Sequence, residues 1–107
     1  MRLQDFDTFG RTQLVIESLE VERGHDIDSV ILKSLILMEE MGELAKAIRE
    51  KEGIEIHDMS ERYSVADELA DCLFVLVSIA NRYEVNLQVA LYNKIRKDEG
   101  KTYNKGL

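Results

Sequence analysis

The chain has 107 residues, enough for one hydrophobic core and too few for two ordinary domains, so we expect a single domain over residues 1–107. It contains no Pro and only 6 Gly, with 45% hydrophobic and 33% charged residues, which disfavours a disordered chain, a fibrous protein and a turn-rich β-sandwich. The net charge of −7 argues against a broad surface for nucleic-acid polymers, although a local basic patch remains compatible with it.

The cysteine content and the hydropathy of the sequence help to predict the cellular compartment of the protein. Cys72 is the single cysteine, which excludes an intramolecular disulfide and a Cys-based zinc cluster, and its ordinary role is that of a small buried hydrophobe. The N-terminal residues lack the apolar stretch of a signal peptide, and the apolar run over 72–80 is far shorter than the ~20 residues of a membrane span. We expect a soluble, cytoplasmic protein.

Apolar residues at helical spacing predict two helices in the first half of the chain. The first extends over about residues 3–22 and ends at Gly24. The second has its N-cap at Asp26 or Asp28 and ends at Gly53, a residue suited to the position just beyond a helix.

Two more helices are predicted in the second half. After a loop without clear periodicity, Ser60 or Ser64 caps a third helix over about residues 61–83. Asn86 is the N-cap of the fourth helix, which ends at Gly100. Four helices with short connections predict an all-α, four-helix bundle-type subunit.

The second helix carries three acidic residues within an apolar sequence. At 100° per residue, Glu39, Glu43 and Glu40 lie at roughly 0°, 40° and 100° around the helix axis, so they share one arc. Met38 and Met41 are among the apolar residues that cover the rest of the circumference. A helix that is apolar nearly all round is a buried helix, so these acids interrupt a core-forming surface.

Glu68 and Asp71 interrupt the apolar third helix in the same way. Several ionised carboxylates packed together in a low dielectric are strongly unfavourable unless a cation neutralises them. Carboxylates three residues apart on each of two facing helices provide an all-oxygen ligand set, which suits Mg²⁺ or Mn²⁺. The alternative for the first trio is a solvated acidic face beside Lys46. His25 and His57, near helix ends or in loops, are typical of solvated surface residues.

Cationic residues concentrate near the C-terminus of a chain that is acidic elsewhere: Lys94, Arg96, Lys97, Lys101 and Lys105. The sequence has no glycine-rich phosphate loop, nucleophile elbow or Cys/His zinc spacing. Phosphate chemistry would therefore have to use a metal and these cations. Their alternative role is to complement the helix dipole and to favour solubility.

Two acidic motifs follow each other along the chain, EEMGE at 39–43 and ELAD at 68–71, within the segments LMEEMGELAKAI and VADELADCLFVLVSIANRYEVNLQVAL. They resemble the E-E-x-x-E and E-x-x-D pattern of the MazG-like family of all-α nucleoside triphosphate pyrophosphohydrolases. The flanking segments are similar to the family's second helix and to its third helix with the turn into the fourth. The resemblance covers about residues 28–101.

The resemblance implies a metal site and a reaction. The implied Mg²⁺ ligands, with Mn²⁺ as the alternative ion, are Glu40, Glu43, Glu68 and Asp71. Glu39 would be a further ligand or would orient the attacking water, which makes Glu39 and Glu43 the catalytic candidates. The implied reaction converts a (deoxy)nucleoside triphosphate to the monophosphate and pyrophosphate, as a housecleaning step for the nucleotide pool.

The phosphate-binding candidates are Lys94, Lys97 and Lys101. The family's K-N-E-x-R-like run is replaced here by KDEGK at 97–101, so Asp98 stands for the Asn and Lys101 for the Arg. The chain lacks Trp, so base stacking would have to use a Phe or Tyr, although each of these is expected to be buried: Phe6, Phe9, Tyr83, Tyr92 and Tyr103.

Family members are usually homodimers or homotetramers with the nucleotide pocket near a subunit interface, and we expect the same here through the long apolar helices. Two alternatives remain open. One is phosphoribosyl-ATP pyrophosphohydrolase activity, which resembles this family in its acidic motifs. The other is a non-catalytic nucleotide-binding or oligomeric helical module.

Overall fold

Four helices make up the regular structure of the chain, in a computed structural model that describes residue 2, residues 8–54 and residues 64–101. They are α1 (Phe9–Arg23), α2 (Val30–Lys51), α3 (Val65–Arg82) and α4 (Leu87–Glu99). The described residues contain no strand, so the all-α prediction is confirmed. None of the four described helices has the length and hydropathy needed to cross a membrane.

Helix α1 begins later than the sequence pattern predicted. Thr8 has an extended backbone, and its side-chain oxygen accepts a hydrogen bond from the Arg11 N–H, which makes it the N-cap. The earlier part of the predicted helix, residues 3–7, lies outside the described residues. Gly24 ends α1 as predicted, with φ 77°, a left-handed conformation that glycine adopts without a steric penalty.

The N-cap of α2 is Ser29, so the prediction of Asp26 or Asp28 was wrong. Ser29 Oγ accepts a hydrogen bond from the Leu32 N–H at 3.0 Å and satisfies one of the free amides of the first turn. The carboxylate of Asp28 instead lies 3.1 Å from Nδ1 of His25. A capping side chain has to lie beside the helix start, and here the serine occupies that position.

The remaining helix ends agree with the sequence more closely. Gly53 follows α2 with φ 71°, as predicted. Ser64 is the N-cap of α3, so this helix starts later than residue 61, and the other candidate, Ser60, lies outside the described residues. Asn86 caps α4 by accepting a hydrogen bond from the Val89 N–H at 3.1 Å.

Helices α2 and α3 form an antiparallel pair, and α1 packs against α3 and α4. Ile36, which precedes the acidic residues of α2, lines a cavity with Val75, which follows the acidic residues of α3. Because Glu40 and Glu43 lie beside Glu68 and Asp71, the two helices run in opposite directions along the contact. The connection between α1 and the other helices is partly polar. Within residues 8–54 and 64–101, the buried apolar side chains are those of Ile16, Ala47, Val77 and Ala80.

Large apolar side chains remain exposed on the outer faces of α2 and α3. On α2, Ile31 is 75% and Met38 is 68% exposed, and on α3 Leu69 is 53% exposed. In the single chain these helices are therefore not buried all round, and their burial in an oligomer stays a prediction. Each helix buries one face against its neighbours, and the opposite apolar face has no cover within the described residues.

Candidate metal centre and adjoining cavity

Four carboxylates meet at the contact between α2 and α3. Glu40 and Glu43 lie one helical turn apart on α2, and Glu68 and Asp71 lie one turn apart on α3. One oxygen from each residue lies within 4.8 Å of the oxygens of the other three. The i and i+3 spacing that the sequence showed on each helix therefore becomes a single acidic cluster because the two helices pack face to face.

The acidic cluster, defined as Glu40, Glu43, Glu68 and Asp71, is partly withdrawn from water. Glu68 is buried, Glu40 and Glu43 are half-buried, and Asp71 is exposed, so the cluster opens to solvent on the Asp71 side. Oε2 of Glu40 and Oε2 of Glu68 are buried and have no hydrogen-bond partner. Buried carboxylate oxygens without partners are uncommon in folded proteins and call for an explanation.

Burial and mutual repulsion change the acidity of the cluster. The pKa of Glu40 is raised to about 6, mainly by burial and then by the neighbouring Glu43 and Asp71. Burial and the same two neighbours also raise the pKa of Glu68. Without a cation, the cluster therefore holds protons at mildly acidic pH that isolated glutamates would have lost.

The acidic cluster fits a hard divalent cation. Its donors are all carboxylate oxygens, the ligand type that Mg²⁺ and Mn²⁺ prefer. A cation would satisfy the two oxygens that lack partners and would offset the repulsion that raises the pKa values of Glu40 and Glu68. The all-oxygen donor set suits Mg²⁺ and Mn²⁺ alike.

Glu39 lies apart from the acidic cluster. It is exposed on α2 and is not among the four residues whose oxygens converge. One residue corresponds to a rotation of about 100° around a helix, so Glu39 projects to the side when Glu40 faces α3. Any contribution of Glu39 to the chemistry would therefore come from the edge of the acidic cluster.

Cys72, next to Asp71 in the sequence, is half-buried. Burial raises the pKa of its thiol, and the carboxylates of the acidic cluster raise it further. The thiol is therefore held in its protonated form near neutral pH, which disfavours a role as a thiolate nucleophile.

A cavity of about 260 Å³ adjoins the acidic cluster. Its wall includes Ile36 of α2 and Val75 of α3, each four residues and thus about one turn from a cluster carboxylate, Glu40 and Asp71 respectively. The full lining is Glu20, His25, Asp28, Lys33, Ile36, Phe74, Val75 and Ser78. The cavity therefore lies about one helical turn from the acidic cluster along the contact between α2 and α3.

The polar side of this cavity was not found by sequence reasoning. Lys33 Nζ and Glu20 Oε2 form an ion pair with both side chains buried, and the buried Oγ of Ser78 has no hydrogen-bond partner. A signal was present in the sequence, because Lys33 lies seven residues before Glu40 and on nearly the same arc of an apolar helix. Its partner on α1 could not be identified from spacing.

The predicted phosphate-binding cations lie on and just after α4. Lys94 and Lys101 each pair with Asp98, at 3.0 Å and 3.1 Å, and Lys97 is exposed. Helix α4 packs against α1, so the structure does not bring these cations together with the acidic cluster of the same chain. Asp98, which departs from the family pattern, holds two of the three lysines.

Three aromatic side chains and one histidine of the described residues are exposed. Phe9, Tyr83 and Tyr92 are 40%, 65% and 61% exposed, so the prediction that they are buried was wrong. Phe6 and Tyr103 lie outside the described residues. His25 is exposed, as predicted for a surface histidine, whereas His57 lies outside the described residues.

Comparison with known families identifies the domain. The family model for the MazG nucleotide pyrophosphohydrolase domain matches residues 29–102. The chain belongs to this MazG family. The match spans α2, α3 and α4 with all four residues of the acidic cluster, whereas α1 precedes it. No curated protein and no solved structure gave a significant match. Membership supports nucleotide pyrophosphohydrolase activity in general.

Proposed function

We propose that this MazG domain hydrolyses (deoxy)nucleoside triphosphates to the monophosphate and pyrophosphate, with Mg²⁺ as cofactor and Mn²⁺ as the alternative ion. The observation that carries the proposal is the acidic cluster, in which four carboxylates converge and two buried oxygens have no partner. Family membership supplies the reaction class. The expected setting is housecleaning of the nucleotide pool in the cytoplasm.

Each carboxylate has a proposed role. Glu40, Glu43, Glu68 and Asp71 would hold the cation, with the buried oxygens of Glu40 and Glu68 directed to it. When bound, such an ion polarises phosphoryl oxygens and lowers the pKa of a coordinated water. Glu43, half-buried at the centre, and Glu39, exposed at the edge, would accept hydrogen bonds from the attacking water and orient it.

The cavity beside the acidic cluster is the proposed place for the nucleoside part of the substrate. Ile36, Phe74 and Val75 provide an apolar wall for a base or sugar, and the Glu20 and Lys33 pair with Ser78 provides hydrogen-bonding groups. The triphosphate would then extend over the carboxylates. Lys94, Lys97 and Lys101 are proposed to contact its phosphates.

We propose a homodimer or homotetramer. Apolar side chains such as Leu35 on α2 and Leu73 on α3, 53% and 45% exposed, form helix faces without cover in the described part of the single chain. Sedimentation velocity at micromolar concentration tests this directly. A single species at the mass of one chain would contradict the proposal.

The activity is tested by measuring pyrophosphate release from ribo- and deoxynucleoside triphosphates, including deaminated and oxidised bases, with Mg²⁺ and with EDTA. We expect metal-dependent release with the monophosphate as the second product. Release of inorganic phosphate and a diphosphate would contradict the proposed reaction. If folded, oligomeric protein releases no pyrophosphate from any of these triphosphates, phosphoribosyl-ATP becomes the favoured substrate. If phosphoribosyl-ATP is bound and not cleaved, the result favours a non-catalytic module.

A further inference from the structure

The polar end of the cavity lies about two helical turns from the acidic cluster. Lys33 lines the cavity from α2, seven residues before Glu40. Ser78 lines it from α3, seven residues after Asp71. Seven residues are nearly two full turns and about 10 Å along a helix axis, so both side chains lie on the same helix faces as the carboxylates. A nucleotide with its phosphates at the acidic cluster would therefore place its base at this end of the cavity.

Two opposite charges are buried at the polar end. Lys33 Nζ donates a hydrogen bond to Oε2 of Glu20, a residue of α1, and both residues line the cavity. An ionised carboxylate only accepts hydrogen bonds, and an ammonium group only donates them. The pair therefore presents an acceptor-only group beside a donor-only group to a ligand that enters the cavity.

The hydroxyl group of Ser78 points to a polar ligand. Ser78 is 2% exposed, and its Oγ has no hydrogen-bond partner among the described residues. A serine within a helix can donate to the carbonyl four residues earlier, and Ser78 does not make this bond. A buried polar atom without a partner is unfavourable, and a polar group of a ligand in the cavity would satisfy it. Because a hydroxyl both donates and accepts, Ser78 can bond to either kind of group.

Deamination exchanges the hydrogen-bonding groups along the edge of a nucleobase. Cytosine and adenine have an amino donor next to a ring-nitrogen acceptor, whereas uracil and hypoxanthine have an oxo acceptor next to a ring N–H donor. A carboxylate and an ammonium group in fixed positions match one of these arrangements and face groups of their own kind in the other. A site built around buried hydrogen-bonding groups rejects a ligand that leaves those groups unpaired.

We infer that Glu20 and Lys33 recognise the edge of the base and make the site discriminate between an amino-bearing base and its deaminated counterpart. The inference rests on the proposed function, because the base reaches the cavity when the phosphates bind at the acidic cluster. Glu20 lies on α1, before the segment that the family model matches. The choice of base therefore depends on a helix outside the segment that holds the four carboxylates.

Matched pairs of triphosphates test the inference. The members of each pair, dCTP with dUTP and ATP with ITP, differ by the exchange of an amino group for an oxo group. The value of kcat/KM is measured for all four compounds with Mg²⁺. We expect wild-type protein to favour one member of a hydrolysed pair by about 100-fold or more. Equal values of kcat/KM within both pairs would overturn the inference.

The variant Glu20→Gln assigns the discrimination to α1. It replaces one acceptor oxygen by an amide donor, and the remaining oxygen can still accept from Lys33. The ratio of kcat/KM within the pair is expected to fall about tenfold or more, or to invert. Glu22→Gln, an exposed position on the same helix, should leave the ratio unchanged. Ser78→Ala should lower both values alike, because its hydroxyl fits either base. An unchanged ratio in folded, active Glu20→Gln protein would overturn the inference.

A second variant covers the case in which Glu20→Gln does not fold. Glu20→Leu together with Lys33→Met leaves no buried charge in the pair, and we expect this protein to fold. Its kcat/KM values for the two members of a pair are expected to agree within about tenfold. Discrimination as strong as in wild type would overturn the inference and assign it to another part of the site. Folded wild-type protein that binds Mg²⁺ and hydrolyses none of the triphosphates would instead overturn the proposed function.

Discussion

Glu20 of α1 and Lys33 of α2 form an ion pair whose side chains are only 8% and 6% exposed. Desolvation of two charges is offset only while both partners are present. The pair also joins α1, which precedes the segment matched by the family model, to the helix that carries Glu40 and Glu43. It therefore fixes α1 against the cavity beside the acidic cluster.

Removal of one partner of this pair is expected to destabilise the protein strongly. We expect Lys33→Met to lower the free energy of unfolding by about 3–5 kcal/mol, because the Glu20 carboxylate is left buried without its cation. The double variant Glu20→Leu with Lys33→Met is expected to regain much of this loss, since no buried charge remains. Urea unfolding of both variants measures the difference. A Lys33→Met protein as stable as wild type would show that another group neutralises the buried Glu20 carboxylate.

Substitution within the acidic cluster is expected to abolish turnover without unfolding the protein. Glu40→Gln and Asp71→Asn each remove one of several mutually repelling charges, so the metal-free variants should be as stable as wild type or more stable. Addition of Mg²⁺ should raise the Tm of the wild type and have less effect on the variants. The control is Glu22→Gln, an exposed carboxylate on α1. Marked unfolding of both cluster variants would indicate that the acids have a structural role.

The stability that Glu40 contributes to the metal-free protein is expected to fall as pH rises. The pKa of Glu40 is raised from the usual 4.5 to about 6, so between these values its carboxyl group binds more protons in the native state than in the unfolded state. The contribution of Glu40 to the free energy of unfolding therefore falls as pH increases through this window. In EDTA, the difference in Tm between Glu40→Gln and wild type should grow in favour of the variant from pH 4.5 to pH 6.5. A difference independent of pH would contradict the raised pKa.

Metal affinity should have the opposite dependence on pH. Glu40 and Glu68, whose pKa values are both raised, have to lose their protons before their oxygens can bind a cation. The affinity for Mg²⁺ or Mn²⁺ is therefore expected to increase as pH rises through the pKa of Glu40, about 6. Isothermal titration with Mn²⁺ at several pH values measures this. Affinity that stays constant from pH 5 to pH 7.5 would argue against these two residues as ligands.

Ser78 is expected to lower the free energy of unfolding of the protein and to contribute to binding of the substrate. Its buried Oγ has no partner, so Ser78→Ala should raise the free energy of unfolding by up to about 1 kcal/mol relative to the control Ser34→Ala. Both substitutions give the same gain in helix propensity, and Ser34 Oγ is exposed and donates to the Ile31 carbonyl. The KM for the best substrate should increase only with Ser78→Ala. An unchanged KM would place the nucleoside outside the cavity.

Local sequence features determined most of the helix pattern. The capping residues Asn86 and Ser64 and the left-handed Gly24 could be identified because a helix end depends on a few neighbouring residues. The choice of Ser29 over Asp28 could not, because His25 and Asp28 interact with each other in the turn before α2. Local spacing does not show which of several adjacent capping residues is already engaged.

Helical periodicity was enough to predict an all-α protein in which Glu40, Glu43, Glu68 and Asp71 occupy two helices at a spacing suited to one metal site. Helical periodicity fixes which side chains share a face, and this property is local. The convergence of these carboxylates within 4.8 Å and the pairing of Glu20 with Lys33 depend instead on how the helices pack. These relationships join residues far apart in the chain, and the packing of whole helices determines which of them meet.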